Sequence, residues 1–252
     1  MPRLLIINPN TSSNVSQLLQ SHAQAAAGAG VDVCTLKARF GAPYIACEAS
    51  YAVAGHAVLD TWAYALAQQQ AGLGPDAFDS VLIGCFGDPG LMALRENCAT
   101  PVTGLAEASF MEAATFGKFA IVTGGARWKP ILERLAHSLG YADNLAGVQT
   151  VEPSGAQLAK EPDLARTLLI DACQMAVSRF AVDALILGGA GLAGVAATIQ
   201  AQVPVPVVDS VWAGVRRALA HTAPGWQPPV RRFEFPWHQV SPELAALGEY
   251  PA

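Results

Sequence analysis

The sequence predicts an α/β fold made of two pseudo-symmetric halves, each a parallel sheet covered by helices, with a cleft between them. Three observations carry this. Short aliphatic runs recur along the chain, each closing on glycine or a small polar residue and followed by a helix-like stretch, the order that builds parallel sheets. The segment DSVLIGCFG, Asp79 to Gly87, aligns without a gap on DALILGGAG, Asp183 to Gly191, and in the same order LLIINPNTS near the start resembles FAIVTGGAR from Phe119. Two matches in one order favour duplication over chance likeness of apolar strands. With 252 residues, 52% of them apolar and 14% charged, the chain also holds enough material for one large core or two small ones sharing a cleft.

The elements follow in order. Leu4 to Ile7 are consecutive aliphatics, the pattern of a strand buried on both faces, and Asn10, Thr11 and Ser12 can cap a helix reaching about Ala27. Val31 to Leu36 reads as a second strand, Ala52 to Gln70 as a long helix, and Val81 to Ile83 as a buried strand with Asp88-Pro89 opening the next helix. Phe119 to Val122, Ala184 to Leu187 and Val205 to Val208 continue the strands; 127–139, 162–180 and 209–221 are the predicted helices, the last capped by Asp209. The expected division is 1–103 plus about 205–222 as the first half, 104–204 as the second, and 223–252 as an irregular tail. That tail, with Trp226, Pro228, Pro229, Phe233, Phe235, Pro236 and Trp237, cannot be one helix and is expected to pack on the domain surface or a neighbouring subunit.

Composition narrows the partners. No apolar run reaches the roughly 20 residues that span a bilayer, and MPRLLIINPN turns polar too early for a signal peptide. Five cysteines without CxxC or Cys/His metal spacing fit reduced thiols in the cytoplasm and no metal site. A net charge of −5 without basic clusters argues against nucleic acid or an anionic membrane. A small molecule is the expected partner, and the apolar tail and low charge point to a homo-oligomer. GGAGLAG at 188–194 resembles a dinucleotide loop only superficially, no Walker lysine follows it, and nucleotide binding is not expected; GxSxG and HExxH are absent from the sequence.

Ligands of open α/β sheets bind beyond the carboxyl ends of the strands. Cys85 sits there, between Gly84 and Gly87 and ahead of a helix start, where backbone N–H groups would favour a thiolate able to act as nucleophile or general base. The residues alone leave a catalytic thiol and a buried structural cysteine equally open. Asn8, Asn10 and Thr11 after the first strand, and Thr123, Gly124 and Gly125 after the Phe119 strand, could hold a carboxylate, imide or ureido group or serve only as helix caps. His56 reads as a packed helix residue and Glu107 as a carboxylate at a helix start. Cys34, Cys47, Cys98 and Cys173 read as structural.

Through INPNTS, GCFGDPGL with Arg95-Glu96, GLAEAS at 104–109, FAIVTGG, LILGGAGLAG and PVPVVDSV, the chain resembles the hydantoin and allantoin racemase branch of the Asp/Glu racemase superfamily, up to about residue 220. The resemblance implies cofactor-independent chemistry at a carbon alpha to a carbonyl, with two thiols on opposite faces of the substrate. The first carries over to Cys85; the second position is held by Gly189, which also aligns on Cys85 in the internal repeat. Asn10, Thr11, Phe86, Gly87, Thr123, Gly124, Gly189 and Ala190 are the implied substrate-binding residues. Three functions follow: a racemase or epimerase of hydantoin-like or amino-acid-derived substrates, with water or Asp88 as stand-ins for the second thiol; a one-thiol decarboxylase or tautomerase, as in arylmalonate decarboxylase, which keeps a single thiol in the other half; and a silent binder, against which the intact GCFGDPGL argues.

Overall fold

A computed structural model describes residues 1–74, 77–152, 157, 162–220, 233 and 236–247. Strands β1 (Arg3–Asn8), β2 (Asp32–Lys37), β3 (Ser80–Ile83) and β4 (Val102–Gly104) form one parallel sheet in the order β2-β1-β3-β4. Strands β5 (Phe119–Gly124), β6 (Leu145–Val151), β7 (Ala184–Leu187) and β8 (Val207–Asp209) form the second, in the order β6-β5-β7-β8. The aliphatic runs of β1, β3, β5 and β7 are the central strands, buried on both faces because helices lie above and below them.

The helices are α1 (Ser13–Ala27), α2 (Glu48–Gln70), α3 (Leu91–Asn97), α4 (Leu105–Ala114), α5 (Trp128–Ser138), α6 (Pro162–Phe180), α7 (Val195–Ile199), α8 (Ser210–Ala220) and α9 (Pro242–Leu247). The Ser12 side chain caps α1 by accepting from the Val15 amide. Asp209 caps α8 through the Val211 and Trp212 amides, and its second oxygen accepts from Gly194 at 2.7 Å.

The repeat is visible in hydrogen bonds as well as strands. The Asp79 carboxylate accepts from the Arg3 amide at 2.7 Å, and Asp183 accepts from the Lys118 amide at 2.8 Å. Those four residues are paired by the same sequence alignment. It runs on past the strands: Gly90 and Gly194, 104 positions apart like the aspartates, both take left-handed conformations and cap α3 and α7.

The segment 205–222, expected whole in the first half, divides. Its strand β8 pairs with β7 in the second sheet, because the short connection through α7 returns the chain beside the strand it left in a parallel crossover. Its helix α8 instead packs on α1, β3 and β4 of the first half and on α4. Helix α4, which follows β4, in turn touches β7 and β8. Each half thus lends a helix to the other, and one apolar cluster runs through both, from Leu4, Leu82 and Phe110 to Ile121 and Ile186.

Most of the aromatic tail, including Trp226, Pro228, Pro229 and Phe235, lies outside the described residues. Phe233 and Trp237 stack at 4.2 Å, and α9 buries Leu244 in the cluster around Val58, Leu59 and Trp62 on the outer face of the first half.

Candidate active site

The carboxyl ends of β1, β3, β5 and β7 open on one cavity of about 520 Å³, mouth included. Its walls come from the turn after each strand, the start of α5 and the loop 38–47. Cys85 and Phe86 face it from the first half, Thr123, Gly124, Gly189 and Ala190 from the second, and Asn10 from the turn after β1. Among its lining residues no lysine, arginine, histidine or carboxylate occurs, so a neutral ligand suits it better than a charged one.

The β1 turn leaves a donor directed by its neighbours. Asn8, fully buried, spends its side-chain amide on Asn10 Oδ1, the Ser12 carbonyl and Ser16 Oγ. Asn10 Oδ1 also accepts from the Ser12 amide at 2.9 Å, which fixes the oxygen's side of the group. The Asn10 Nδ2 makes no hydrogen bond among the described residues and remains for a ligand acceptor. The Thr123 hydroxyl, one of the groups that could hold such a ligand, is already committed as a donor: it donates to the Gly188 carbonyl at 2.7 Å. Only its lone pairs are left, so Thr123 offers an acceptor. A donor from the first half and an acceptor from the second complement a group carrying both C=O and N–H.

Cys85 lies in the turn after β3, with Gly84 closing the strand on the Ile7 carbonyl at 2.8 Å. A side chain at Gly84 would collide with Leu19 and Ile6, and one at Gly188 with the Phe86 ring, so glycine is required for the two strand ends to approach. The Phe86 and Gly87 amides make no hydrogen bond among the described residues.

The expected lowering of the Cys85 thiol pKa is overturned. Burial and then the nearby Asp88 charge push it up, and α3 begins only at Leu91, too far along the turn for its N-terminal amides to hold a thiolate. The resting site therefore presents a protonated thiol at neutral pH.

Asp88 does not fill the place of a second base in this cavity. Its carboxylate, on a residue with φ of +52°, accepts from the Ala106 and Glu107 amides at 2.9 and 2.8 Å and caps α4. It occupies the space a side chain at Gly104 would need, which is why that position is glycine. Burial nevertheless pushes its carboxyl up to about 7. Glu107 pairs with Arg95 at 2.8 Å, and His56 meets Phe40 edge to face; neither lines the cavity.

Gly189 stands on the wall at the position equivalent to Cys85, with φ of +143° and its amide donating to Ser210 Oγ at 3.2 Å. A Cβ there would meet only Leu192, at 3.6 and 3.7 Å, so the site has room for a side chain but a backbone that resists one.

Two expected residues stand behind the lining. The Thr11 amide holds the Ala42 carbonyl, and Gly87 lies under the Trp128 ring with its carbonyl bonded to Tyr51. Tyr44, Ile45 and Trp128 line the cavity without having been singled out in the sequence. They sit in a loop and a helix start with no motif of their own. Cys47, read as structural, is the N-cap of α2, where the Ser50 hydroxyl and the helix amides lower its pKa. Among the described residues no three His, Cys, Asp or Glu side chains gather as a metal site, and no helix is long and apolar enough to cross a membrane.

Two duplicated α/β halves enclosing a strand-end thiol define the racemase-type fold. A family model described as Asp/Glu/Hydantoin racemase matches residues 4–218, and the chain belongs to that family as a racemase-like enzyme. Hydantoin racemase from Paenarthrobacter aurescens is 30% identical over 226 residues, covering 89% of this chain and 93% of the relative. Its counterpart from Pseudomonas sp. (strain NS671) is 29% identical, covering 86% and 84%. The solved allantoin racemase from Klebsiella pneumoniae superposes with a TM-score of 0.84 at 29% identity over 99% and 100% of the two chains. Arylmalonate decarboxylase, at 18% identity and a TM-score of 0.60, shares the fold.

Proposed function

We propose that the protein moves a proton at the carbon alpha to the carbonyl of a small neutral cyclic amide or ureide, with Cys85 as the acid/base and no cofactor. The names of its relatives support racemisation of hydantoin-like compounds. The observation that carries the substrate class is the pairing of Asn10 Nδ2 as donor with Thr123 Oγ1 as acceptor in a cavity without charged side chains. Asn10 takes the carbonyl oxygen, Thr123 accepts a ring N–H, and the reacting carbon lies toward Cys85. As the alpha proton leaves, charge develops on the carbonyl oxygen, and Asn10 with the Phe86 and Gly87 amides stabilises the enolate. Donors fixed in advance are worth about 3 kcal/mol each at such a position.

A second reading rests on Gly189 and on the raised Cys85 pKa. A protonated thiol facing no partner thiol is suited to protonating an enolate on one face, as a decarboxylase or tautomerase requires. The two readings share Cys85 and differ in the opposite face, where racemisation needs solvent in the space beside Gly189.

Turnover of a panel tests the substrate class. Single enantiomers of 5-substituted hydantoins should be processed, while the corresponding free amino acids should not. Turnover of free amino acids alone would overturn the reading.

A further inference from the structure

We infer that Arg39 and Glu243 are positioning residues: the C-terminal helix α9, through this pair, holds the loop that walls the Cys85 cavity and so sets access to it. The inference deepens the proposed function and rests on it for the substrate, though not for access.

The loop 38–47 leaves β2 and enters α2, and it supplies Tyr44 and Ile45 to the cavity wall. Its first half carries one ionisable side chain, Arg39. The guanidinium reaches away from the cavity and makes two hydrogen bonds to Asp60 on α2, at 2.8 and 2.9 Å, and two to Glu243 on α9, at 2.9 and 3.1 Å. It also lies 4.9 Å from the Tyr64 ring centre. Asp60 is 2% exposed and pairs with this cation, which holds the loop to α2. Glu243 adds a second fork and raises the stiffness of a planar group that already has one. Helix α9 is itself fixed by Leu244, which is fully buried.

The loop has further anchors. Ala38 N–H bonds the Asn8 carbonyl, Thr11 N–H bonds the Ala42 carbonyl, and the Ala46 and Cys47 amides both donate to Ser50 Oγ. Between the Thr11 and Ser50 contacts lie Pro43, Tyr44 and Ile45, of which Tyr44 and Ile45 line the cavity. Held from both α2 and α9, the loop keeps Tyr44 and Ile45 against the cavity; without Glu243 it rests on Asp60 and its other anchors and opens more often. The pair joins sequence positions 204 apart, so the end of the chain acts on a wall made near its beginning.

Two measurements test this. Site-resolved alkylation of the native protein with N-ethylmaleimide reads access directly, with Cys34 on β2 as internal reference. Glu243→Gln should speed Cys85 labelling ~3–5-fold, as loss of a partly exposed ion pair allows, and leave Cys34 unchanged. Glu243→Asp should restore much of the wild-type rate. Raising salt from about 0.05 M to about 0.5 M should speed the wild type toward the Glu243→Gln rate and leave the variant nearly constant. With a hydantoin substrate the same variant should raise KM by a similar factor at unchanged kcat. Cys85 labelling within twofold of wild type, or an equal rise at Cys34, would overturn the inference. Failure of wild type to turn over any hydantoin would remove the proposed substrate and leave the labelling result to decide the positioning role.

Discussion

The Tyr51 hydroxyl donates to the Gly87 carbonyl at 2.7 Å, tying the long helix α2 to the turn that carries Cys85. Tyr51 also meets Trp128 edge to face, and Trp128 covers Gly87. The peptide after Gly87 is therefore held from both halves of the molecule, next to the turn peptides that carry the Phe86 and Gly87 amides. Tyr51→Phe removes one oxygen and leaves a buried carbonyl unpaired. Unfolding in urea should show a loss of about 1–3 kcal/mol. Turnover should show a fall in kcat with little change in KM, since the donors to the enolate lose their aim while the rest of the cavity stays.

Asn10→Ala should lower kcat/KM about 100-fold, the usual effect of deleting one donor at a developing oxyanion. Asn10→Asp should lower it further, because a carboxylate there repels the enolate. Steady-state kinetics on one hydantoin enantiomer compares the three. Equal activity of the Ala and Asp variants would place Asn10 away from the developing charge.

Asp88 makes stability depend on pH in a stated direction. Burial pushes its carboxyl up to about 7, above its value of about 4 in the unfolded chain. The folded protein then binds the proton more tightly than the unfolded one. The contribution is full below about pH 4 and is lost as pH rises through about 7, by at most ~1.4 kcal/mol per pH unit. Urea unfolding of wild type and Asp88→Asn from about pH 5 to about pH 8 should show the wild type losing ground to the variant as pH rises. A constant difference would contradict the burial argument.

How much of this was legible in the sequence depended on burial. Strands β1, β3, β5 and β7 are buried on both faces, so their aliphatic runs announced them, and the predicted helices 127–139 and 162–180 fall within a residue of α5 and α6 at each end. The edge strand β6, LAGVQTV, is mostly half-exposed and shows neither a run nor a clean alternation, and β4 has three residues; neither was read. Helix α4 was signalled only by Glu107 at its start. The sheet assignment of β8 was missed because its sequence does not say which edge it joins; the crossover from β7 decides that.

For the site, the internal repeat brought Cys85 and Gly189 to matching positions, which both then line one cavity. The charge state of Cys85 was not legible, since desolvation depends on what covers the thiol and not on its neighbours in sequence. The role of Thr123 as acceptor turned on its bond to Gly188, 65 positions away.

Gly189→Cys should raise inversion of a single hydantoin enantiomer relative to isotope exchange, because the added thiol can serve the opposite face. The backbone sets a limit: φ of +143° disfavours an L side chain, at a cost of order 1–3 kcal/mol, so the variant should also unfold at lower urea. Chiral chromatography gives the inversion rate. No gain in inversion in a folded variant would show that position 189 does not address the reacting carbon.

The most direct test of Cys85 as the acid/base is hydrogen exchange at the substrate's alpha carbon. One enantiomer of a 5-substituted hydantoin is incubated in deuterated water with wild type or Cys85→Ser, and deuterium at that carbon is followed by mass spectrometry, with equilibrium dialysis to confirm that the variant still binds. The account predicts enzyme-dependent deuterium incorporation with wild type and only background incorporation with a variant that retains binding. Exchange by Cys85→Ser at the wild-type rate would contradict it.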